Sequence, residues 1–170
     1  MSFHHPTSNV RSTRYFVAST TVQCWHCARA TEVVALGVPA GHELADFPGE
    51  EGHPADDPSA PAWEPSDLSA ILFFVRDLKE PARRRLQQAS GGFRLAYSAA
   101  TFDSYWANHC AHCGELLDDH ELHCEPNIAF VAADPARARA VRLARVDEGV
   151  EAAADGYAIE PQFFDLMTWT

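Results

Sequence analysis

Four cysteines set in two short hooks constrain this chain more than anything else in it. Cys24-Trp25-His26-Cys27 and Cys110-Ala111-His112-Cys113 are both C-x-x-C motifs. A two-residue spacer lets one tight turn aim both of its sulfurs at the same point, so two such turns supply four thiolates in a tetrahedron. That donor set suits Zn²⁺, with each sulfur at about 2.3 Å. Cys24, Cys27, Cys110 and Cys113 are therefore the expected metal ligands. With 82 residues between the hooks, against roughly 15–20 in a compact zinc ribbon, the ion would join distant parts of the chain. Four protein sulfurs leave no coordination position for a substrate, so the expected Zn²⁺ is structural. The rival reading is dithiol redox chemistry, which places the first thiol at a helix N-terminus. Here the first hook is followed by the strand-like Thr31 to Leu36. One ion also accounts for two hooks better than two redox centres do.

Length and charge narrow the partners. A chain of 170 residues with 46% hydrophobic content suits one globular domain with a real core. The longest apolar run, Ala70 to Val75, is closed by Arg76 and Asp77, far short of the roughly 18 residues of a membrane span. The polar start, Met1 to Arg14, lacks the apolar stretch of a signal peptide, and the chain reads as cytoplasmic. The formal charge of −11 is unevenly spread, because no Lys or Arg occurs between Arg29 and Arg76. That interval holds Glu32, Glu43, Asp46, Glu50, Glu51, Asp56, Asp57, Glu64 and Asp67. Such a field repels phosphates, disfavours nucleic acid and steers a basic protein instead; it also serves plain solubility.

Pattern organises the rest. Residues 1–13 read as a flexible leader, and 14–170 as a single domain. Tyr15 to Val22 and Thr31 to Leu36 read as strands that place the first hook on a hairpin turn. The segment 38–66 carries six prolines among glycines and acids and is expected to be a long acidic surface loop, with Trp63 pinned against the body. Leu68 to Val75 predicts a strand. Glu80 to Gln88, with Pro81 near its start and Gly91-Gly92 beyond its end, predicts a helix. Phe93 to Ser98 alternates as a strand running towards the second hook. Leu116 to Cys124 predicts a helical turn or two, Ala136 to Ala140 a short helix, and Val141 to Val146 another strand. The tail, Phe163 to Trp169, is too aromatic to be left in water and is expected docked.

Histidines crowd the second hook: His109, His112, His120 and His123, beside Cys124. On a helix, His120, His123 and Cys124 share one face. A second metal with an open position would make a hydrolase or nucleic-acid-modifying enzyme of this turn. The competing reading has His109 and His112 decorating the zinc turn and the others solvated or hydrogen-bonded, since spacing places no acid or base beside them.

Ser104 to Gly114, continued by Leu117-Asp118-Asp119 and Cys124-Glu125-Pro126, resembles a segment of uncharacterised bacterial zinc-ribbon-like proteins. Gln23-Cys24-Trp25-His26-Cys27 with Thr31 to Leu36 matches the N-terminal companion of that segment. The resemblance implies the four cysteines as metal ligands. It departs after the second hook, where the family has a Gly-Asp-aromatic run and this chain has Asp118-Asp119-His120. The expected fold is α+β: a small antiparallel sheet tied by a zinc-ribbon-like hook pair, with a long acidic Pro-rich insertion. The expected function is non-enzymatic, a bacterial immunity or adaptor protein that binds a basic partner. The alternatives are the His-based enzyme and a zinc-ribbon nucleic-acid binder.

Overall fold

A computed structural model describes residues 8–46 and 61–170. The fold is predominantly β, which corrects the α+β expectation. Twelve strands form one mixed sheet system, and the three α-helices span only eight, six and five residues. In chain order the elements are β1 Val10–Ser12, β2 Tyr15–Gln23, β3 Ala30–Val38, β4 Glu43–Asp46, β5 Ala62–Pro65 and β6 Ala70–Leu78. Then come α1 Ala82–Ala89, β7 Arg94–Ser98, β8 Asp103–His109, β9 Leu116–Leu117, α2 Asp119–Cys124, α3 Pro135–Arg139, β10 Arg142–Val146, β11 Val150–Ile159 and β12 Thr168–Trp169. The main path runs β12-β10-β2-β3-β6-β11-β1-β4-β5, and β7-β8-β9 branches from β6 at the Val75–Trp106 pair. Every pairing is antiparallel except β10 with β12.

The central strands are apolar on both faces because both faces are covered. Tyr15 and Val17 of β2, with Val34 and Leu36 of β3, pack on one side against Ala82 and Leu86 of α1 and Phe93. Phe16 and Ala18, with Val33 and Ala35, pack on the other against Leu122 of α2, Phe130, Val141, Met167 and the buried sulfurs of Cys24 and Cys110. The hooks are thus part of the second core rather than an appendage to it. Of the described residues, none lies in a helix long and apolar enough to cross a membrane.

Several local expectations change. Residues 1–7 of the leader lie outside the described residues, whereas Val10–Ser12 is paired with β11 and β4. The 38–66 segment is not simply a loop, because β4 and β5 pair within it; its residues 47–60 lie outside the described residues. Trp63 is held by Arg11, whose guanidinium carbon sits 4.2 Å from the ring centroid. The tail docks on the body: Met167 is buried in the second core, and Trp169 meets Phe16 edge-on at 5.3 Å. The longest strand, β11, has ten residues and no expectation corresponds to it. Its Val-Glu-Ala-Ala-Ala-Asp-Gly run is poor in β-branched residues, and pairing with β6 and β1 overrides that local preference. A Cβ at Gly156 on this strand would lie 2.2 Å from the Phe73 ring, so any side chain there would force that ring to shift.

Candidate metal centre

Each hook sits where two strands change direction. The first closes the hairpin of β2 and β3, and the second joins β8 to β9. Neither lies at a helix N-terminus, which removes the geometry that redox dithiols use. Both hooks are the same turn. In the first, Cys24 N–H donates to the Arg29 carbonyl and Ala28 N–H to the Cys24 carbonyl, both at 2.9 Å. In the second, Cys110 N–H donates to Glu115 and Gly114 N–H to Cys110, again both at 2.9 Å. The residue after each second cysteine is left-handed, Ala28 at φ 60° and Gly114 at φ 77°.

Four sulfurs converge between the turns. The thiol sulfur of Cys24 lies 3.6 Å from that of Cys113, and that of Cys27 lies 3.6 Å from that of Cys110. All four lie within 4.8 Å of one another. A disulfide would need about 2.05 Å. Sulfurs at the corners of a tetrahedron with bonds of about 2.3 Å stand about 3.8 Å apart, close to the spacing seen. The four cysteines can therefore hold one metal ion. Backbone N–H groups of Cys113 and His112 aimed at the Cys110 sulfur lower the pKa of that thiol, while burial and the neighbouring sulfurs raise that of Cys113.

Contacts across the pair fix the two turns on each other. Asn108, two residues before Cys110, is fully buried and imitates a strand partner with its side chain. Its Oδ1 accepts the Val34 N–H and its Nδ2 donates to the Val34 carbonyl, both at 2.9 Å. Ala111 N–H donates to the buried Thr31 hydroxyl at 3.0 Å. Two ring nitrogens then reach across in opposite directions. Trp25 Nε1 donates to the Leu116 carbonyl at 3.3 Å and His112 Nε2 to the Ala30 carbonyl at 2.9 Å. Each acceptor is the sixth residue after the first cysteine of its own hook, so the exchange is reciprocal. Sequence reading missed Asn108 and Thr31 as contributors. The signal available was an amide inside the aromatic-apolar Tyr105 to His109 run.

The remaining histidines go to separate partners. His109 is buried with its Nδ1 on the Gly92 carbonyl at 3.0 Å, and burial lowers its pKa. No side chain is tolerated opposite it, because a Cβ on Gly92 would lie 2.1 Å from the His109 carbonyl oxygen. His120 is exposed, 3.9 Å from Glu125. His123 is buried and stacked between Phe73 and Phe130, at 4.9 and 4.7 Å between centroids. Its Nδ1 has no hydrogen-bond partner, and burial pushes its pKa down to about 3. Cys124 is exposed and belongs to no cluster of ligands among the described residues. Its neighbour Asp119 is buried and accepts the Phe74 N–H at 2.7 Å; burial raises its carboxyl to about 7. Phe74 has φ 48°, a left-handed conformation costly for an aromatic residue.

Comparison of the chain with protein-family models, with curated proteins and with solved structures gives no match.

Proposed function

We propose that the protein is a non-enzymatic protein-binding module, of the kind used as a bacterial immunity or adaptor protein, fastened by one structural Zn²⁺ on Cys24, Cys27, Cys110 and Cys113. The observation that carries the zinc reading is the tetrahedral spacing of four sulfurs built into the second core. A shell of four thiolates supplies folding free energy and leaves no place for a reacting water. The resemblance of both hooks to bacterial zinc-ribbon-like proteins agrees with this reading.

The partner proposed is a basic protein. Support comes from the cation-free interval with its nine acids. Within it, Glu64 and Asp67 are exposed and no ion pair with a described residue neutralises them. The protein's own cations are largely committed: seven of its 13 Lys and Arg residues already pair with carboxylates. That weighs against the nucleic-acid reading, which needs cations free for phosphates.

Metal analysis tests the first part. About one zinc per chain is expected, with loss in Cys110→Ser; zinc retained by that variant, or a metal-free disulfide-bonded native protein, overturns it. Association kinetics with the partner recovered from the native host test the second. The on-rate should fall as salt rises, and should fall further on neutralising Glu50, Glu51, Asp56 and Asp57, while the off-rate changes little. An on-rate indifferent to both, or tight binding to DNA or RNA near physiological salt, overturns the basic-partner reading.

A further inference from the structure

The structure holds a second feature that owes nothing to the hooks. A cavity of about 410 Å³ opens at the end of β2 and β10, and its lining includes Arg14, Tyr15, Phe16, Arg145, Asp147 and Trp169. The tail builds one wall. β12 runs parallel to β10, with Trp169 opposite Leu143 and Thr170 N–H donating to the Leu143 carbonyl at 3.0 Å. Phe16 meets the indole edge-on, and the Arg145 guanidinium lies 4.7 Å from the centroid of the same ring. Trp169 stays 40% exposed, so its backbone is fixed while part of its ring is still available.

The charges are as informative as the rings. Arg14 and Arg145 have no carboxylate partner among the described residues, although most cations of this acidic chain do. A second cleft, of about 480 Å³, shows the opposite arrangement. Its Arg11 and Lys79 are each matched at 2.6 Å, by Glu43 and Glu151, which also line it. That cleft is neutralised from within. The cavity beside Trp169 is lined by two arginines, Arg14 and Arg145, against one side-chain carboxylate, Asp147, which leaves a net positive charge beside the exposed part of the indole. Guanidinium groups bind planar oxyanions through paired N–H donors, and indole and phenyl rings bind flat rings. Pockets of 300–1,000 Å³ accept molecules of this size.

We propose that this cavity is a binding site for a small aromatic anion, a flat ring carrying one carboxylate or phosphate. The ring lies against the exposed part of Trp169, whose indole is backed by the buried Phe16, and the oxyanion meets Arg145 and Arg14. Asp147 tempers the affinity and disfavours ligands with a second negative charge placed near it.

Calorimetric titration of the full chain with four probes tests the assignment: 1-naphthoate, adenosine monophosphate, neutral 1-naphthalenemethanol and acetate. At least one of the two aromatic anions should bind with a Kd below about 1 mM. Which one binds tells carboxylate from phosphate. The neutral ring and acetate should each be at least about tenfold weaker. Arg14→Gln and Arg145→Gln should each weaken the binding anion about tenfold, and Asp147→Asn should tighten it severalfold. Trp169→Leu should shift the protein's indole signal and lower affinity. Both arginines are exposed, so unchanged far-ultraviolet circular dichroism and a cooperative thermal transition will certify folding of those variants. The proposal is overturned if neither anion binds with a Kd below about 1 mM, if the neutral ring binds as well as its anion, or if folded arginine variants bind undiminished.

Discussion

The two hooks make the same turn with different residues, and the difference separates what shapes a metal-binding turn from what merely suits it. Both have the same pair of backbone hydrogen bonds and the same left-handed residue after the second cysteine. In the second hook that residue is Gly114, which adopts the conformation freely. In the first it is Ala28, for which a left-handed backbone costs roughly 1–2 kcal/mol. The turn is therefore imposed by its hydrogen bonds and by the convergence of four sulfurs. Glycine lowers the cost without creating the shape. Support differs as well: the first hook caps two nine-residue strands, while the second leads into the two-residue β9 and leans on Asn108.

The largest test treats the hooks alike. Cys24→Ser and Cys110→Ser should each abolish stoichiometric zinc and loosen both hooks together, since structural zinc contributes on the order of 10–16 kcal/mol in finger peptides. Metal analysis and hydrogen exchange at β3 and β8 would read this, and retention of order at the untouched hook would break the equivalence. The next test separates them. Asn108→Ala strips both backbone groups of Val34 of their partners, and chemical denaturation should show a loss of about 2–4 kcal/mol.

Acid sensitivity should be strongest in the second half, where His123 and Asp119 are buried, although His42, buried after the first hook, also has its pKa lowered by burial. His123 has its pKa lowered from 6.5 to about 3. The unfolded chain therefore binds the proton first, and the stability present above about pH 6.5 is lost as pH falls towards 3. Asp119 has the opposite sign: raised to about 7, it weakens the fold as pH climbs from about 4 towards 7. His123→Phe keeps a ring between Phe73 and Phe130 and removes the orphaned nitrogen. It should stabilise by about 1–2 kcal/mol and flatten the acid limb of a stability-versus-pH curve. An unaltered curve would show that other groups set it.

Two exchanges sharpen the comparison at smaller scale. Ala28→Gly should stabilise and Gly114→Ala destabilise, each by about 1 kcal/mol in thermal unfolding. A Cβ at Gly114 meets nothing closer than Arg94 at 4.0 Å, so the effect there is backbone strain alone. The smallest effect is expected from the reciprocal rings. Trp25→Phe and His112→Phe each remove one N–H donor to an opposing carbonyl and should cost about 0.5 kcal/mol apiece.

How far the sequence discloses all this depends on whether a residue's role is local. β2, β3, β6, β7 and β10 were legible because their β-branched and aromatic runs alternate or stay apolar. The ends of α1 were legible because Pro81 and Gly91 punctuate them. The four cysteines were legible because spacing alone defines a hook. β11 was not, since its alanines favour no strand until β6 and β1 flank it. Missing it, together with β8, β4 and β5, made the sheet look small and the helices important, and the α+β reading followed. Asn108 was illegible for a related reason: a strand partner made from a side chain has meaning only once Val34, 74 positions away, lies beside it.

That separation also has a meaning in time. Cys27 and Cys110 are 83 positions apart, and ribosomes add roughly 5–20 residues per second. The first hook is therefore synthesised roughly 4–17 seconds before its partner. Through that interval Cys24 and Cys27 form half a site, open to oxidation or to any thiophilic ion nearby. The finished protein buries Cys24 and half-buries Cys27, so for these two thiols the hazardous environment is the nascent chain.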